Sequence, residues 1–318
     1  MQPYILVPLD GSTLAETILP HAVALARATG SALILMQVLE PVYEPIFGAL
    51  GTPEFAEEEQ LAQMRDEQLA SLHYYLENIA SQLRVEGLEV NTRVIEGNYP
   101  ATEILWHTEN DTLLQMVAMT THGRSGVLRW IFGSVTAEIV QTTPRSLLLL
   151  RPQESDRSFS MEHFNAVPYQ SVIVPLDASP FAERALDQAY ELVSAMNATL
   201  QLVSIVPPPR VLPFHKEKEP SSLMQTLHQA ELERRTHYLE QKAEQYREQG
   251  VLVQTHVATG YPAEEILGFS MQHQHPLLVM TTHGHSRLRR LLLGNVTMKV
   301  VQGASLPIVL VPVRSTNE

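Results

Sequence analysis

Short apolar runs rich in β-branched residues and leucine alternate along the chain with longer stretches in which apolar residues recur every three or four positions. In the first half the runs fall near 3–9, 32–38, 88–95, 113–119 and 146–151. Strands alternating with helical stretches predict βαβ units around a parallel sheet. Between the first two strands, from Ser12 to Ala28, Leu14, Ile18, Ala22, Leu25 and Ala26 share one helical face. That spacing predicts a helix kinked at Pro20 and closed by Gly30 in the left-handed conformation. The stretch from Glu54 to Glu86 is the longest helical candidate, with Leu61, Met64, Leu69, Leu72, Leu76, Ile79 and Leu83 as its apolar side. After the second strand of each half comes an irregular Pro-rich insert, 41–53 and 206–220. It is expected either to border a ligand cleft or to be a plain surface loop.

The pattern occurs twice. Ile5-Leu6-Val7-Pro8-Leu9-Asp10 returns as Val172-Ile173-Val174-Pro175-Leu176-Asp177. Tyr99-Pro100-Ala101 returns as Tyr261-Pro262-Ala263, and Met119-Thr120-Thr121-His122-Gly123 as Met280-Thr281-Thr282-His283-Gly284. The offsets are 167, 162 and 161 residues (177 − 10, 261 − 99, 283 − 122), so the halves differ by a few loop residues. A chain of 318 residues is long enough for two such domains, each with its own core. The polar, aperiodic segment around residues 153–160 reads as a linker. The expected division is a first domain over 1–152, a linker over 153–167 and a second domain over 168–314.

Charge and composition narrow the function classes. A net charge of −13 argues against a general electrostatic footprint on nucleic acid or an anionic membrane, so an anionic ligand needs a local device. No apolar run reaches the length of a membrane span, and the N-terminus lacks the pattern of a secretory signal. The chain has no cysteine, which removes disulfides and thiolate metal sites. A cytoplasmic location is the expectation. The three Asn-x-Thr triplets at 110, 197 and 295 are read as coincidence without a secretory signal.

The candidate chemistry lies where strands end. In an open parallel sheet the ligand crevice opens beyond the carboxyl ends of neighbouring strands whose connections leave in opposite directions. Asp10 and Met119 end two strands expected to meet there. Asp10, followed by Gly11-Ser12, is suited to receive hydrogen bonds from an adenine amino group or a ribose hydroxyl, or else to cap the next helix. Gly123, nine further residues and then Gly133-Ser134-Val135-Thr136 offer glycine backbone and a helix N-terminus to a phosphate. Ser134 and Thr136 add hydroxyl donors, and Arg124 and Arg129 add positive charge. His122 and His283 have no carboxylate or histidine partner at ligand spacing, so a turn role is expected rather than a metal one. The Walker phosphate loop, the dinucleotide fingerprint and the serine-hydrolase elbow are all missing.

Taken together, these residues resemble the universal stress protein family, over nearly all of both halves. The resemblance implies two tandem Rossmann-like α/β domains of the adenine nucleotide alpha hydrolase-like kind, each a five-stranded parallel sheet sandwiched by helices. It implies that Pro8, Leu9, Asp10 and Val38 hold adenine and ribose, with Met119 and Thr120 beside the base. Gly123, Arg124, Gly133, Ser134, Val135 and Thr136 would then hold the phosphates. In the second half the matching positions are Pro175, Leu176, Asp177, Ile205, Met280, Thr281, Gly284, Gly294, Asn295, Val296 and Thr297. The family's first glycine is replaced by Thr120 and Thr281, and its last hydroxyl residue by Asn295 in the second half, which ranks the second site below the first.

The expected cofactor is ATP, with Mg²⁺ as a companion, and the expected role is a stress or signalling switch rather than a catalyst. A slow ATP hydrolase and a nucleotide-free scaffold for protein contacts are the alternatives. The last strands, 147–150 and 308–311, are expected to pair within the chain, with a homodimer left open and partner proteins unknown.

Overall fold

The computed structural model describes residues 2–40, 46–47, 53–54, 58–122, 132–153, 156, 158–160, 165–209, 222–282 and 293–313. They form two compact units. One comprises residues 1–143 with 154–165, and the other 144–153 with 166–318.

In the first unit the strands are β1 (Tyr4–Pro8), β2 (Ala32–Leu39), β5 (Val90–Glu96) and β6 (Leu114–Thr120). All pair in parallel in the order β6-β1-β2-β5. The central strands β1, β2 and β6 are mostly apolar because both faces are covered: Ile5, Leu6 and Val7 are buried, as are Leu33, Leu35 and Met36. The chain advances from β1 to β2 to β5 and then returns across the sheet to β6. Right-handed crossovers therefore put α1 (Thr13–Glu16), α2 (Leu19–Thr29) and α3 (Glu58–Val85) on one face. The opposite face carries α4 (Pro100–Asn110), which packs against α5 (Ser134–Thr142).

Three local expectations are corrected. The 12–28 stretch is two helices, not one kinked helix: α1 stops at a Thr17 cap and α2 begins at Leu19. Pro20 explains the break, since it has no N–H for the carbonyl of Glu16 and its ring crowds that carbonyl. The corresponding position of the second half is Asp187 (20 + 167), and there the helix runs unbroken from Pro180 to Met196. Gly30 does close α2 at φ 64°. In α3, Leu76, Ile79, Ala80 and Leu83 are buried at helical spacing, but Leu61 and Met64 are about half exposed. The apolar side therefore reaches the core only over the C-terminal part of the helix. Glu54, the first residue of the predicted helix, belongs instead to the strand β4 (Pro53–Glu54), paired antiparallel with β3 (Ile46–Phe47).

The second unit repeats the plan with β8 (Ser171–Pro175), β9 (Thr199–Val206), β10 (Val253–Thr259), β11 (Pro276–Thr281) and β12 (Ile308–Val311). These five parallel strands lie in the order β10-β9-β8-β11-β12. The helices are α6 (Pro180–Met196), α7 (Ser222–Arg247), α8 (Pro262–Ser270) and α9 (Asn295–Gly303). One further strand, β7 (Ser146–Leu150), comes from the end of the first repeat yet belongs to this unit. It runs antiparallel to β12, with Leu147 opposite Leu310 and Leu149 opposite Ile308. All five of its residues are buried, so an edge that would otherwise offer unpaired backbone groups is covered. No helix among the described residues is long and apolar enough to cross a membrane.

Candidate functional site

The first unit's sheet order reverses between β1 and β6, which are paired neighbours. A cleft of about 400 Å³ opens at their carboxyl ends. It is lined by Pro8, Leu9, Asp10, Val38, Met119, Thr120, Gly133, Ser134, Val135 and Thr136, drawn from three strands and one helix. Those are ten of the twelve first-half positions singled out in the sequence. The other two, Gly123 and Arg124, lie outside the described residues, as does Gly284 in the second half. Pattern reasoning missed Ala15, Met36, Gln37, Glu40, Pro100 and Ile104, which also line the cleft. Gln37 was legible as the one polar residue inside the apolar run of β2.

Asp10 has a structural task. Its Oδ1 accepts from the Ser12 backbone N–H at 3.0 Å and from the Ser12 hydroxyl at 2.6 Å. Ser12 in turn accepts from the Ala15 N–H at 3.2 Å and caps α1. The carboxylate thus holds the turn after β1, with Gly11 at φ 80°. The second unit reproduces the device: Asp177 accepts from Ser179 at 3.0 and 2.5 Å, and Ser179 caps α6 through Ala182. There the turn residue is Ala178, which adopts φ 59° despite its Cβ.

The other wall is the start of α5. Gly133 precedes it at φ −65°, ψ 163° and donates its N–H to the Thr121 carbonyl at 2.8 Å. The first-turn N–H groups of Ser134, Val135 and Thr136 have no acceptor within the helix and lie along the cleft. They carry the positive end of the helix dipole, a local attraction for an anion in a chain of net charge −13. The Thr136 hydroxyl is buried and donates to the Thr120 carbonyl at 3.1 Å, so Ser134 supplies the exposed hydroxyl of this turn. Thr120 itself ends β6 with its φ outside the left-handed region, and its hydroxyl donates to the His122 carbonyl at 2.8 Å. The Cβ in place of the family's first glycine is therefore carried without backbone strain.

The second unit keeps this wall. Gly294 donates to the Thr282 carbonyl at 2.9 Å, and Thr297 donates to the Thr281 carbonyl at 3.1 Å. It differs on the base side. Ser204 stands where the first unit has Gln37, since Pro175 pairs with Val203 as Pro8 pairs with Met36. Its hydroxyl donates to the Leu176 carbonyl at 2.7 Å and receives Arg235 at 3.3 Å. Arg235 is paired with Glu231 at 2.7 Å, and its neighbour Arg234 binds the same carboxylate. Those guanidinium hydrogen bonds hold the Glu231 carboxyl down at about 2. Beside them Glu183 accepts from Tyr238 at 2.9 Å and from Lys242 at 2.8 Å. In the first unit the matching positions of α3 are Leu72 and Ile79 (235 − 163, 242 − 163), so Glu16 keeps the Tyr75 hydrogen bond at 2.9 Å but has no lysine there. Burial raises the Glu16 pKa, opposed by Tyr75 and aided by the nearby Asp10.

His122 is buried, with Nδ1 3.0 Å from the Thr121 hydroxyl, which suits a turn residue. Among the described residues no three histidine or carboxylate side chains gather as metal ligands.

A parallel sheet whose order reverses at one point and whose faces carry helices, in two copies, defines the doubly wound α/β class. Comparison with known proteins places the chain within that class. The profile of the Universal stress protein family matches residues 3–151 and 168–312, and the chain belongs to that family. A universal stress protein of Methanocaldococcus jannaschii is 28% identical over 145 residues, spanning 45% of this chain and 82% of the relative. The universal stress protein YxiE of Bacillus subtilis is 27% identical over 146 residues, 45% of this chain and 99% of its own. Each relative thus matches about one repeat. The crystal structure of a universal stress protein from Archaeoglobus fulgidus matches with a TM-score of 0.66 at 17% identity, covering 96% of this chain and 97% of the other, which shows the shared fold.

Proposed function

We propose that the first unit binds an adenine nucleotide, with ATP as the intended ligand and Mg²⁺ as its companion, and that occupancy acts as a switch on partner choice. The observation that carries this reading is convergence: the strand-end Asp10 and the unpaired first turn of α5 face one cleft of about 400 Å³, a size suited to a small molecule. Base and ribose sit along Pro8, Leu9, Val38 and Met119. The phosphates sit beside Gly133 on the N–H groups of Ser134 and Val135, which substitute for the missing basic surface. The second unit is assigned a weaker site or none, because Ser204, Arg235 and Glu231 are already bonded to one another. Fast phosphoryl transfer needs placed metal ligands and a group that orients the attacking water. The reading is therefore of binding with slow turnover at most, by a cytoplasmic protein.

The test is thermal melting of the purified protein with and without ATP and Mg²⁺. A ligand at 100 times its Kd, bound only by the folded state, stabilises by about 2.7 kcal/mol, which is a rise of several degrees. A melting curve indifferent to saturating ATP overturns the reading in favour of a nucleotide-free scaffold. Calorimetry then counts the sites, and one nucleotide per chain is expected.

A further inference from the structure

Gln37 poses a problem that the fold alone does not answer. It lies near the end of β2, lines the cleft and is only 5% exposed, yet its amide oxygen has no hydrogen-bond partner. An unpaired polar atom in that environment is costly. The second unit shows the alternative. Its counterpart, Ser204, is also buried, but its hydroxyl is engaged on both sides, by the Leu176 carbonyl and by Arg235. The first unit has Leu72 where the second has Arg235, so α3 offers no donor from that position. The same register position is thus closed by internal hydrogen bonds in one repeat and left buried and unpaired, in the lining of the cleft, in the other.

We propose that Gln37 is the residue that reads the base: on binding, its amide turns so that the oxygen, buried in the empty protein, accepts a hydrogen bond from the exocyclic amino group of the purine. This rests on the nucleotide reading of the same cleft and deepens it. The unpaired amide selects an amino-bearing base, and Ser204 cannot do so because its hydroxyl is already satisfied. The orphaned oxygen is then a cost borne by the empty protein and recovered on binding.

The experiment is a two-by-two comparison by titration calorimetry on the full chain. Wild type and Gln37→Met are each titrated with ATP and with purine riboside triphosphate, the analogue carrying hydrogen in place of the amino group. Methionine nearly matches glutamine in length and volume and leaves no polar atom unpaired. Wild type is expected to prefer ATP by about fivefold, the worth of one neutral hydrogen bond, and Gln37→Met to bind both about equally. The empty variant is expected to melt no lower than wild type, whereas a purely structural glutamine would make it melt lower. A preference for ATP that survives in Gln37→Met overturns the assignment and leaves the nucleotide reading standing. Failure of wild type to bind either triphosphate overturns both. Gln37→Ser, which copies the second repeat, is the companion variant and is expected to lose the preference in the same way.

Discussion

Gly133→Ala separates the needs of the fold from those of a ligand. At φ −65° and ψ 163° the backbone is open to any residue, and a Cβ built there meets nothing closer than the Thr121 carbonyl oxygen at 3.7 Å, an ordinary contact. Replacing glycine narrows the unfolded ensemble, a gain of about 0.4–1 kcal/mol. Alanine is a poorer N-cap than glycine, which offsets up to about 1 kcal/mol. The two nearly cancel, so the stability of the empty protein is expected to change by no more than about 0.5 kcal/mol. Binding is another matter. The methyl group would project beside the N–H groups of Ser134 and Val135, where a phosphate must come within hydrogen-bond range. A hydrogen bond to a charged group contributes about 1.5–3 kcal/mol, so holding the phosphate off even one N–H weakens ATP by about tenfold or more. Thermal melting without nucleotide checks the first half, and calorimetric titration with ATP the second. A variant that melts like wild type and binds ATP equally well would refute the claim that this glycine exists to admit a phosphate.

Three further substitutions follow from the backbone and from burial. Ala178 occupies the left-handed region at φ 59° where the first repeat has Gly11 at φ 80°. That conformation costs an L-residue about 1–2 kcal/mol, and glycine gives back about 0.4–1 kcal/mol in the unfolded state, so Ala178→Gly is expected to raise stability by about 0.5–1 kcal/mol in denaturant titrations. Gly11→Ala is expected to lower it by a similar amount. His21 on α2 has its pKa pushed down to about 4 by burial, with Asp156 pulling weakly the other way. The unfolded chain then binds more protons between the ordinary histidine pKa and about 4, so stability rises with pH across that window and falls on acidification. At full effect the loss is about 3 kcal/mol. His21→Leu is expected to flatten this part of the stability profile in melts from pH 7 to pH 4; an unchanged slope would refute the assignment.

The site was legible where chemistry and spacing coincide. Asp10 and Gly133 stand at strand and helix ends and return in the second half as Asp177 and Gly294, and the topology could only bring them to one edge of the sheet. The apolar phase of 12–28 was legible too, but not the helix break, because a proline sets no apolar period and only its missing N–H and ring decide whether the helix bends or stops. In α3 the apolar stripe outruns the core: its period continues to Leu61, while the sheet beneath it does not. Gln37 escaped because period reasoning treats a lone polar residue in an apolar run as noise. The closure of the second site by Arg235 depends on which α7 side chain reaches β9, a contact between segments 31 residues apart that no local pattern encodes.

The pairing of β7 with β12 also has a consequence in time. Leu149 and its partner Ile308 are separated by 159 residues (308 − 149). A ribosome adding about 5–20 residues per second needs about 8–30 s to make that stretch. Throughout that interval the flank of Ser146-Leu147-Leu148-Leu149-Leu150 that β12 will cover waits for a strand not yet made. Nascent chains on neighbouring ribosomes carry the same bare leucine flank, so the vulnerable stage of this protein's life is its synthesis, and a chaperone that shields β7 would matter more to its yield than to the stability of the finished fold.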